Sequence, residues 1–536
     1  MMTTTRRAML KAGAAGLALA AMGGTVAVAQ NYGGTLNVGL TYEIDTMNTY
    51  STGYLADAQH TIIEGLLAPD ENAQYVPVLA TEVPTVENGG IVVSEDGQSM
   101  TITYTLREGV KWHDGEDFTS EDVAFTWEAV RDPAFIAESK SGTESITSIE
   151  TPDDYTVIVN YDSIVPDFAS TLFTFGIMPE HILAGQDLNT HEYNELPVGT
   201  GPFMATEFAR GQYVVLDRNP DYWRTAENGD QLPYLDRLVF NIVPDTNTLM
   251  TQLRSRELDM VVKTPYNQAA QVESFGGYEL IVGPLLSWGH LDFNFENEFL
   301  ADIAVRQAFA HAIDRNVLIQ AQGGFPEAIK SIVVPIFEFY DENTPEYEFD
   351  PEEANRILDE AGYTMGEDGI RTKDGERLSF EYVTAAGSAD DENIQQIIMA
   401  QLAQVGIEIV PDNRAGVALR EARYNGDYDL YYGRWITSAD PVYSIFYGTE
   451  GALNGQGYSN PELDAVFETV ENSIDTETRM RAFSDIQRIV AEDLPTLPLT
   501  TNVSLITVTE RLQNFTPNPT NMTNFVDTAE WYLSEE

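Results

Sequence analysis

Apolar residues alternate with polar ones in short runs along this chain, and between the runs they recur at helical spacing. In the stretch SMTITYTL, the alternating apolar positions are Met100, Ile102, Tyr104 and Leu106. A period of two predicts a half-buried strand. After a predicted turn at His113-Asp114-Gly115, Thr119 stands three positions before Asp122, the spacing of a capping box, which predicts that a helix begins here.

Two later stretches predict helices with clear ends. In FDPEEANRILDEAGY, Asp350 is the predicted N-cap, Pro351 occupies the first helical position, Glu353 completes a capping box, and Gly362 is the C-cap. The stretch ADIAVRQAFAHAIDRNVLIQAQGG predicts one amphipathic helix that Gly323 ends. Its apolar face consists of Val305, Ala308, Phe309, Ala312 and Ile313. Strands separated by such helices predict α/β domains, and no repeat of fixed period occurs.

The first residues have the pattern of a cleaved export signal. A charged start with Arg6 and Arg7 is followed by an apolar stretch over 12–22, and the signal is predicted to end at residue 29. The adjacent arginines resemble a twin-arginine signal; an ordinary Sec signal is the alternative. No later stretch has the eighteen or so continuous apolar residues of a membrane helix. We therefore expect a protein released into the periplasm.

Composition narrows the class of protein further. The chain has no cysteine, which excludes disulfides, thiolate metal sites, thiol nucleophiles and a lipidated N-terminal cysteine. About 500 residues remain after the signal, a length that predicts two or more hydrophobic cores. Asp and Glu number 85 against 29 Lys and Arg, so nucleic acid and anionic lipid are poor candidate partners. Such an acidic surface also suits a saline habitat, which we hold as a hypothesis.

No motif for catalysis is present. The sequence contains no nucleophile elbow, no phosphate-binding P-loop and no dinucleotide fingerprint. Its six histidines are scattered, so they do not predict a metal site, and acidic pairs are expected by chance among so many carboxylates. We therefore predict a binding protein rather than an enzyme, with no cofactor and no metal.

Eight blocks occur in the order of one known family. They are LREGVKWHDGEDFTSEDVAFTWEAVRDP, PVGTGPFMATEF, LDRNPDYW, LDRLVFNIVPDTNTLMTQLRSRELDM, LDFNFEN with VRQAFAHAIDR, DPEEANRILDEAGY, QLAQVGIEI and GYSNPELDAVFE. The chain resembles, from about residue 33 to 515, the family 5 extracellular solute-binding proteins of ABC importers, which include oligopeptide, dipeptide and nickel receptors. Because the eight blocks keep their order over almost the whole mature chain, the resemblance is specific.

The resemblance implies an α/β fold of two lobes joined by crossing strands, the periplasmic-binding-protein fold, with an extra subdomain in lobe one. Lobe one would be assembled from residues 30–69, 198–285 and 500–536. The extra subdomain would be 70–197, and lobe two 286–499. Hinge closure of the lobes around a ligand would bury it from water.

The resemblance also points to the aromatic stretch YYGRWITSADPVYSIFY as a ligand wall. In peptide-binding relatives an aspartate three residues after a tryptophan pairs with the α-ammonium of the peptide. Here Ser438 occupies that position after Trp435, and Asp440 comes two residues later. A hydroxyl cannot replace a charge. Either Asp440, or Glu43 or Asp45 after the first strand, therefore takes the ammonium, or the ligand has none.

Further candidates surround this wall. Arg423 lies twelve residues before Trp435, where oligopeptide relatives place an arginine for ligand carboxylates; a surface ion pair with Asp427 or Asp429 is the alternative. The remaining candidate aromatic residues are Tyr431, Tyr432, Tyr443 and Tyr447. Their hydroxylated rings suit peptide side chains and also sugars. Trp288 and His290 are second-rank candidates, with hinge packing as the favoured alternative.

The resemblance therefore implies a monomeric periplasmic protein that delivers peptides to an ABC permease. The first alternative is an oligosaccharide or an opine-like conjugate, which Ser438 and the aromatic rings favour. A nickel chelate comes third, because no histidine follows His311. A hydrolase or an extracytoplasmic chaperone is the alternative from another class of protein.

Overall fold

The computed structural model describes residues 32–170, 172–520 and 522–535, so the predicted export signal lies outside the described residues. The strands are β1 Thr35–Leu40, β2 Leu67–Pro69, β3 Tyr75–Pro77, β4 Ile91–Val93, β5 Met100–Thr105, β6 Ile146–Asp153, β7 Thr156–Tyr161, β8 Phe203–Ala209, β9 Tyr213–Arg218, β10 Arg237–Ile242, β11 Met260–Val261, β12 Tyr278–Phe293, β13 Thr364–Met365, β14 Arg371–Lys373, β15 Glu376–Arg377, β16 Ser379–Ala385, β17 Glu408–Arg414, β18 Leu430–Ile436, β19 Thr496–Thr509, β20 Leu512–Gln513 and β21 Tyr532–Leu533. The α-helices are α1 Ser120–Arg131, α2 Glu180–Leu183, α3 Thr246–Ser255, α4 Ala269–Glu273, α5 Glu298–Ala301, α6 Ile303–Ala312, α7 Arg315–Ala321, α8 Pro351–Glu360, α9 Ala389–Ala403, α10 Gly416–Asn425, α11 Ser444–Tyr447, α12 Pro461–Glu471 and α13 Thr476–Asp493.

A ten-stranded sheet runs through both halves of the molecule, in the order β17-β16-β18-β12-β19-β11-β1-β10-β9-β8. The long strands β12 and β19, of 16 and 14 residues, pair with each other at its centre. We call the half with β1 and β8 to β11 lobe one, and the half with β16 to β18 lobe two. The strands β12 and β19 cross between them, so we call these the crossing strands.

Strand directions bring one edge of each lobe to the middle of the crossing strands. In lobe one, β1 pairs in parallel with β10 and β11; in lobe two, β16 pairs in parallel with β17 and β18. Ile436 at the end of β18 pairs with Ser287 on β12, and Val261 at the end of β11 pairs with Thr507 on β19. The carboxyl ends of both sets of parallel strands therefore face each other.

The pairing of the crossing strands is interrupted between the lobes. The register passes from Pro284 opposite Val503 to Trp288 opposite Thr501, so β12 has more residues than β19 over this interval. Within the interval, the Leu286 N–H donates to the Pro519 carbonyl, and the Leu286 carbonyl accepts from the Thr437 N–H, both at 2.9 Å. This β-bulge lies where the lobes join.

The predicted strand and capped helix near residue 100 are confirmed. Strand β5 belongs to a four-stranded antiparallel sheet, β4-β5-β7-β6, and buries Met100, Ile102 and Tyr104. Helix α1 follows Thr119, which forms the predicted capping box with Asp122. A polar side chain that accepts a hydrogen bond from the first turn satisfies a backbone N–H that would otherwise have no partner.

The prediction of one long amphipathic helix over 301–324 is wrong in one respect, because the structure has two helices, α6 and α7, over this stretch. Helix α6 ends at Ala312, Ile313 has extended ψ, and Asp314 caps α7 by accepting from the Asn316 N–H. The side chain of an aspartate can compete for backbone donors and start a new helix, and this local effect outweighs the apolar periodicity.

The ends of α8 follow the predicted signals with one difference. Asp350 accepts from the N–H groups of Glu352 and Glu353, and Gly362 has φ +88 directly after the C-cap Ala361. The carboxylate of Glu353, however, pairs with Arg356 rather than closing the capping box. An arginine three residues on offers a charged partner on the helix surface.

Buried apolar residues form separate cores. The largest joins lobe one to the four-stranded sheet, and a second fills lobe two beneath α6, α8 and α9. A third contains Trp288 and Trp435 beneath α12 and α13, and Ala73 from the turn between β2 and β3 packs into it. Across the described ranges, no helix is both long and apolar enough to cross a bilayer.

We keep the predicted residue boundaries of the lobes as a proposal.

Candidate functional site

The candidate site lies in the cleft between the lobes. In open α/β sheets, ligands bind outside the carboxyl ends of the parallel strands. Here those ends approach the middle of the crossing strands from both sides, at Ile436 and at Val261. The loops after β1 and β18, which contain the acidic and aromatic candidates of the sequence, therefore border one cleft.

Trp435 is the centre of an aromatic wall on lobe two. It is 6% exposed, and its ring is nearly parallel to that of His290, with 5.4 Å between centroids and 3° between planes. The Phe446 ring lies 4.1 Å away, and Asp292 fixes the imidazole through a 2.9 Å contact with His290 Nδ1. No protein hydrogen bond is formed by the Trp435 indole N–H within the described part of the chain.

Arg423 lies over the Trp435 ring and is the charged residue of this wall. Its guanidinium carbon lies 3.7 Å from the centroid of the Trp435 ring, within cation–π distance. The described residues place no carboxylate in ion-pair contact with it, neither Asp427 nor Asp429, and its Nε has no hydrogen-bond partner there. Burial raises the pKa of the neighbouring Tyr431, and Arg423 opposes that shift. Arg423 is therefore a cation held by the Trp435 ring and by the Tyr431 hydroxyl.

Three predicted aromatic residues are buried in cores. Tyr432 is 3% exposed and packs in the core of lobe two, where burial raises its pKa to about 12. Tyr443 is 2% exposed and donates to the Ile332 carbonyl at 3.3 Å. Trp288 has no exposed surface and packs against Tyr443 and Phe446. Trp435 and Tyr431, at 6% and 7% exposed, are only slightly less buried, so a ligand contact for all five aromatic residues stays a prediction.

Asp440 already has a cationic partner. Arg479 on α13 binds both of its carboxylate oxygens, one of them at 2.9 Å, and the two side chains are 15% and 10% exposed. The Ser438 hydroxyl donates to the Asp440 carbonyl oxygen. Since a guanidinium fork matches a carboxylate bidentately, the negative charge of Asp440 is compensated within lobe two.

Carboxylates from both lobes surround this ion pair. Burial and repulsion from Asp440 raise the pKa of Asp167, in lobe one, to about 6, and Arg479 opposes that shift. Glu471 on α12 also repels Asp167, and burial raises the pKa of Glu471 itself. Tyr75 lies near both aspartates. The lobes therefore meet here with more negative than positive charge.

The two candidates after β1 differ in their contacts. Asp45 accepts hydrogen bonds from the Thr46 N–H at 2.9 Å, the Thr52 hydroxyl at 2.7 Å and the Gly53 N–H at 3.0 Å, so it stabilises a turn. Glu43 is half-buried and makes no hydrogen bond or ion pair with another described residue. Glu43 is therefore the free carboxylate of this loop.

The structure thus brings Trp435, Arg423 and Tyr431 together, and it places Ser438 and Asp440 beside Arg479. Sequence reasoning missed Arg479. A signal was present, because Arg479 stands on the same helical face as Ala482, Phe483 and Ile486, where a lone charge requires a buried partner. Among the described residues, no group of three or more His, Asp or Glu side chains could hold a metal ion.

Comparisons with known proteins agree with this architecture. The model of the bacterial extracellular solute-binding proteins, family 5 (middle region), matches residues 74–456. The chain is 29% identical over 522 residues to the oligopeptide-binding protein AppA of Bacillus subtilis (strain 168), covering 94% of this chain and 92% of AppA. It is 30% identical over 464 residues to protein XP55 of Streptomyces lividans, covering 85% and 81% of the two chains.

The solved structure of AppA from Bacillus subtilis, in complex with a nonapeptide, superimposes with a TM-score of 0.72 at 27% identity. The match covers 94% of this chain and 100% of that one. The predicted two-lobed α/β fold is confirmed. The matching family is one of solute-binding proteins rather than of enzymes.

Proposed function

Because this chain belongs to the bacterial extracellular solute-binding proteins of family 5, we propose that it captures small peptides between its lobes and delivers them to an ABC permease. AppA, which is similar over nearly the whole chain, is named for oligopeptide binding, and its solved structure holds a nonapeptide. Closure of the lobes would remove the peptide from water, so that each polar contact inside the cleft counts for more.

One observation of this structure carries the proposal: Arg423 lies 3.7 Å over Trp435 with no carboxylate partner among the described residues. The Arg423 Nε has no hydrogen-bond partner within the described residues, so the guanidinium keeps a donor for a ligand. Held flat by an aromatic ring, it can grip a carboxylate through two parallel hydrogen bonds. Arg423 would bind the carboxylate end of the peptide, and the rings of Trp435 and Tyr431 would contact its side chains.

The amino end of the peptide then requires a carboxylate. Asp440 is bound by Arg479, and Asp45 accepts three hydrogen bonds within its own turn. Glu43, at the cleft edge of lobe one, has no competing partner in the described structure. We therefore assign the ammonium to Glu43. Contacts to the two ends would then come from opposite lobes, so a ligand with both charges would favour closure.

A second candidate function is the capture of an amine-free conjugate, such as an opine-like compound or an oligosaccharide. The observation that favours it is the Asp440–Arg479 ion pair, which leaves no free aspartate beside Trp435. Aromatic rings with polar tips also suit sugar faces. Such a ligand would keep Arg423 for a carboxylate and would not involve Glu43.

The cellular setting follows from the family and the export signal. We propose that the protein works in the periplasm as a monomer after removal of residues 1–29 through the twin-arginine route. Its partner would be the permease of an ABC importer at the inner membrane, and no nucleic acid is involved. The acidic surface would keep the protein soluble.

The experiment that tests the function is native mass spectrometry of protein taken gently from the periplasm. After denaturation, the released mass is sequenced. A ladder of masses spaced by amino-acid residues supports the peptide function. A single amine-free conjugate or a hexose spacing supports the second candidate and overturns the first.

A further inference from the structure

The floor of the cleft contains a cavity of about 250 Å³ on the crossing strands. Its apolar lining consists of Val282, Leu285, Phe325, Pro335, Ile336 and Val503, with Pro284 and Val334 beside them. The strand residues in this lining lie between the points where β18 and β11 end, at Ser287 and Thr507. The cavity therefore lies between the lobes, where ligands bind in open α/β sheets.

The walls of this cavity are apolar in an otherwise acidic protein. Val282 is 44% exposed, and of the lining residues only Glu327 carries a charge. Two uncharged polar side chains of the lining have partners. Thr501 Oγ1 accepts from the Glu327 N–H at 2.9 Å, and Asn502 donates to Ser287 Oγ at 2.7 Å. Glu327 is exposed to solvent, and a concave surface that is otherwise apolar favours an apolar occupant.

Lobe one completes the rim. Tyr266, in the loop after β11, donates from its hydroxyl to the Val503 carbonyl at 2.9 Å. Its ring stacks on that of Phe325 in lobe two, with 6.0 Å between centroids and 26° between planes. A residue of lobe one thus contacts two lining residues, Val503 and Phe325, so closure of the lobes would act on this rim.

We propose that this cavity receives one large apolar side chain of the captured ligand, of the size of Leu, Met or Phe. The inference rests on the proposed peptide function and deepens it by naming a sequence preference. The volume is below the roughly 300–1,000 Å³ that encloses a whole small ligand, so it fits one part of a peptide. The candidate wall is continuous with it, because the N–H of Thr437, two residues after Trp435, binds the carbonyl of Leu286.

Isothermal titration with a panel of pentapeptides tests this inference. Each peptide of Ser and Ala carries Leu at one position and is compared with its Ala counterpart. Wild-type protein should bind one of the Leu peptides about tenfold more tightly or better, as expected for an apolar group in a matching pocket. Ile336→Trp, which fills the cavity, should reduce that preference to within about threefold while affinity for the Ala peptide is kept.

Val92→Trp is the matched control, because Val92 is 59% exposed on β4, outside the cleft lining. It should retain the full preference. Leu285→Phe fills the same cavity by a smaller step and replaces Ile336→Trp if that variant does not fold. Equal affinities for Leu and Ala peptides in wild type, or a preference that survives filling, overturn the inference alone. If no peptide binds the wild type, the peptide function and the inference are both overturned.

Discussion

Arg423 and Arg479 both lie in lobe two, and each contacts aromatic rings. The guanidinium of Arg479 lies 5.3 Å from Phe339 and 5.6 Å from Phe483, and that of Arg423 lies 3.7 Å from Trp435. Arg479 has a bidentate carboxylate partner, whereas the described residues supply none for Arg423. One charge is therefore satisfied inside the protein, and the other is left for something outside it.

The difference teaches that residue type and aromatic surroundings do not separate a structural arginine from a ligand-binding one. What separates them is the presence of a counter-charge. A buried ion pair makes each partner costly to remove, because the other is left without compensation. An arginine without a carboxylate partner keeps hydrogen-bond donors available to a ligand carboxylate. Loss of Arg479 should therefore affect stability, and loss of Arg423 should affect binding.

The largest expected effect is on stability. Arg479→Ala should lower the free energy of unfolding by about 3–5 kcal/mol, since it leaves the Asp440 carboxylate buried and unpaired. Denaturant unfolding followed by circular dichroism measures it. Arg481→Ala, at an exposed position of the same helix, should change stability by no more than about 0.5 kcal/mol. Equal effects of the two variants would contradict a structural role for Arg479.

Arg423→Ala should have the opposite profile. We expect peptide affinity to fall by about 1.5–3 kcal/mol, the range for hydrogen bonds to a charged group, with a stability loss of about 1 kcal/mol from the cation–π contact. Titration calorimetry with a free-acid peptide and its C-terminal amide shows whether the lost affinity comes from the ligand carboxylate. Denaturant unfolding measures the loss of stability. A binding role for Arg423 is contradicted if wild type binds both peptides equally or if the variant loses affinity equally for both.

The pH dependence of the free energy of unfolding tests the negative charge around Arg479, through Asp167. Its pKa, raised to about 6 by burial and by Asp440, lies above the value of about 4 in an unfolded chain. The folded state therefore retains a proton that the unfolded chain has lost between about pH 4 and 6. The contribution of this group to the free energy of unfolding falls as pH rises through that window, by roughly 1–2 kcal/mol.

The measurement is the free energy of unfolding of wild type and Asp167→Asn at intervals from pH 4 to 7. In Asp167→Asn this part of the fall in the free energy of unfolding should be absent. In Asp162→Asn, at an exposed position, it should remain. Identical pH slopes in wild type and Asp167→Asn would show that the charges around Arg479 do not repel Asp167.

The smallest effect concerns the free carboxylate of lobe one. Glu43→Gln should weaken binding of a peptide with a free amino group by roughly 0.5–1 kcal/mol, because a half-buried ion pair is partly screened by water. The N-acetylated peptide serves as the control, and its affinity should not change. If the variant binds the free and acetylated peptides with unchanged affinity, another group receives the ammonium.

Local features of the fold were predictable from the sequence, because short-range chemistry determines them. The capping box at Thr119 and the N-cap at Asp350 follow from side chains that reach backbone groups within one helical turn. The break between α6 and α7 was missed because the apolar periodicity continues through it, while a single side chain, Asp314, starts the second helix. Periodicity alone does not show such a competition.

The candidate site was predictable only in part. Resemblance to a family pointed to Trp435 and Arg423, which do lie together. The partner of Asp440 is 39 residues away on another helix, and no local pattern relates the two. The cavity on the crossing strands combines residues of β12, β19 and the loop between α7 and α8, so it exists only after these distant segments have packed together. Contacts between distant segments depend on tertiary packing, which the sequence pattern does not specify.

The interrupted pairing between Pro284 and Trp288 has a consequence for the rate at which amide protons exchange with deuterium. Paired segments of β12 on either side should protect their amides strongly, because each lies in a half of the sheet that is anchored in its own core. The Leu286 amide, whose acceptor is the Pro519 carbonyl outside the ladder, should exchange faster than either flank. When a ligand closes the lobes, its exchange should slow, so that one amide reports the opening and closing of the whole molecule.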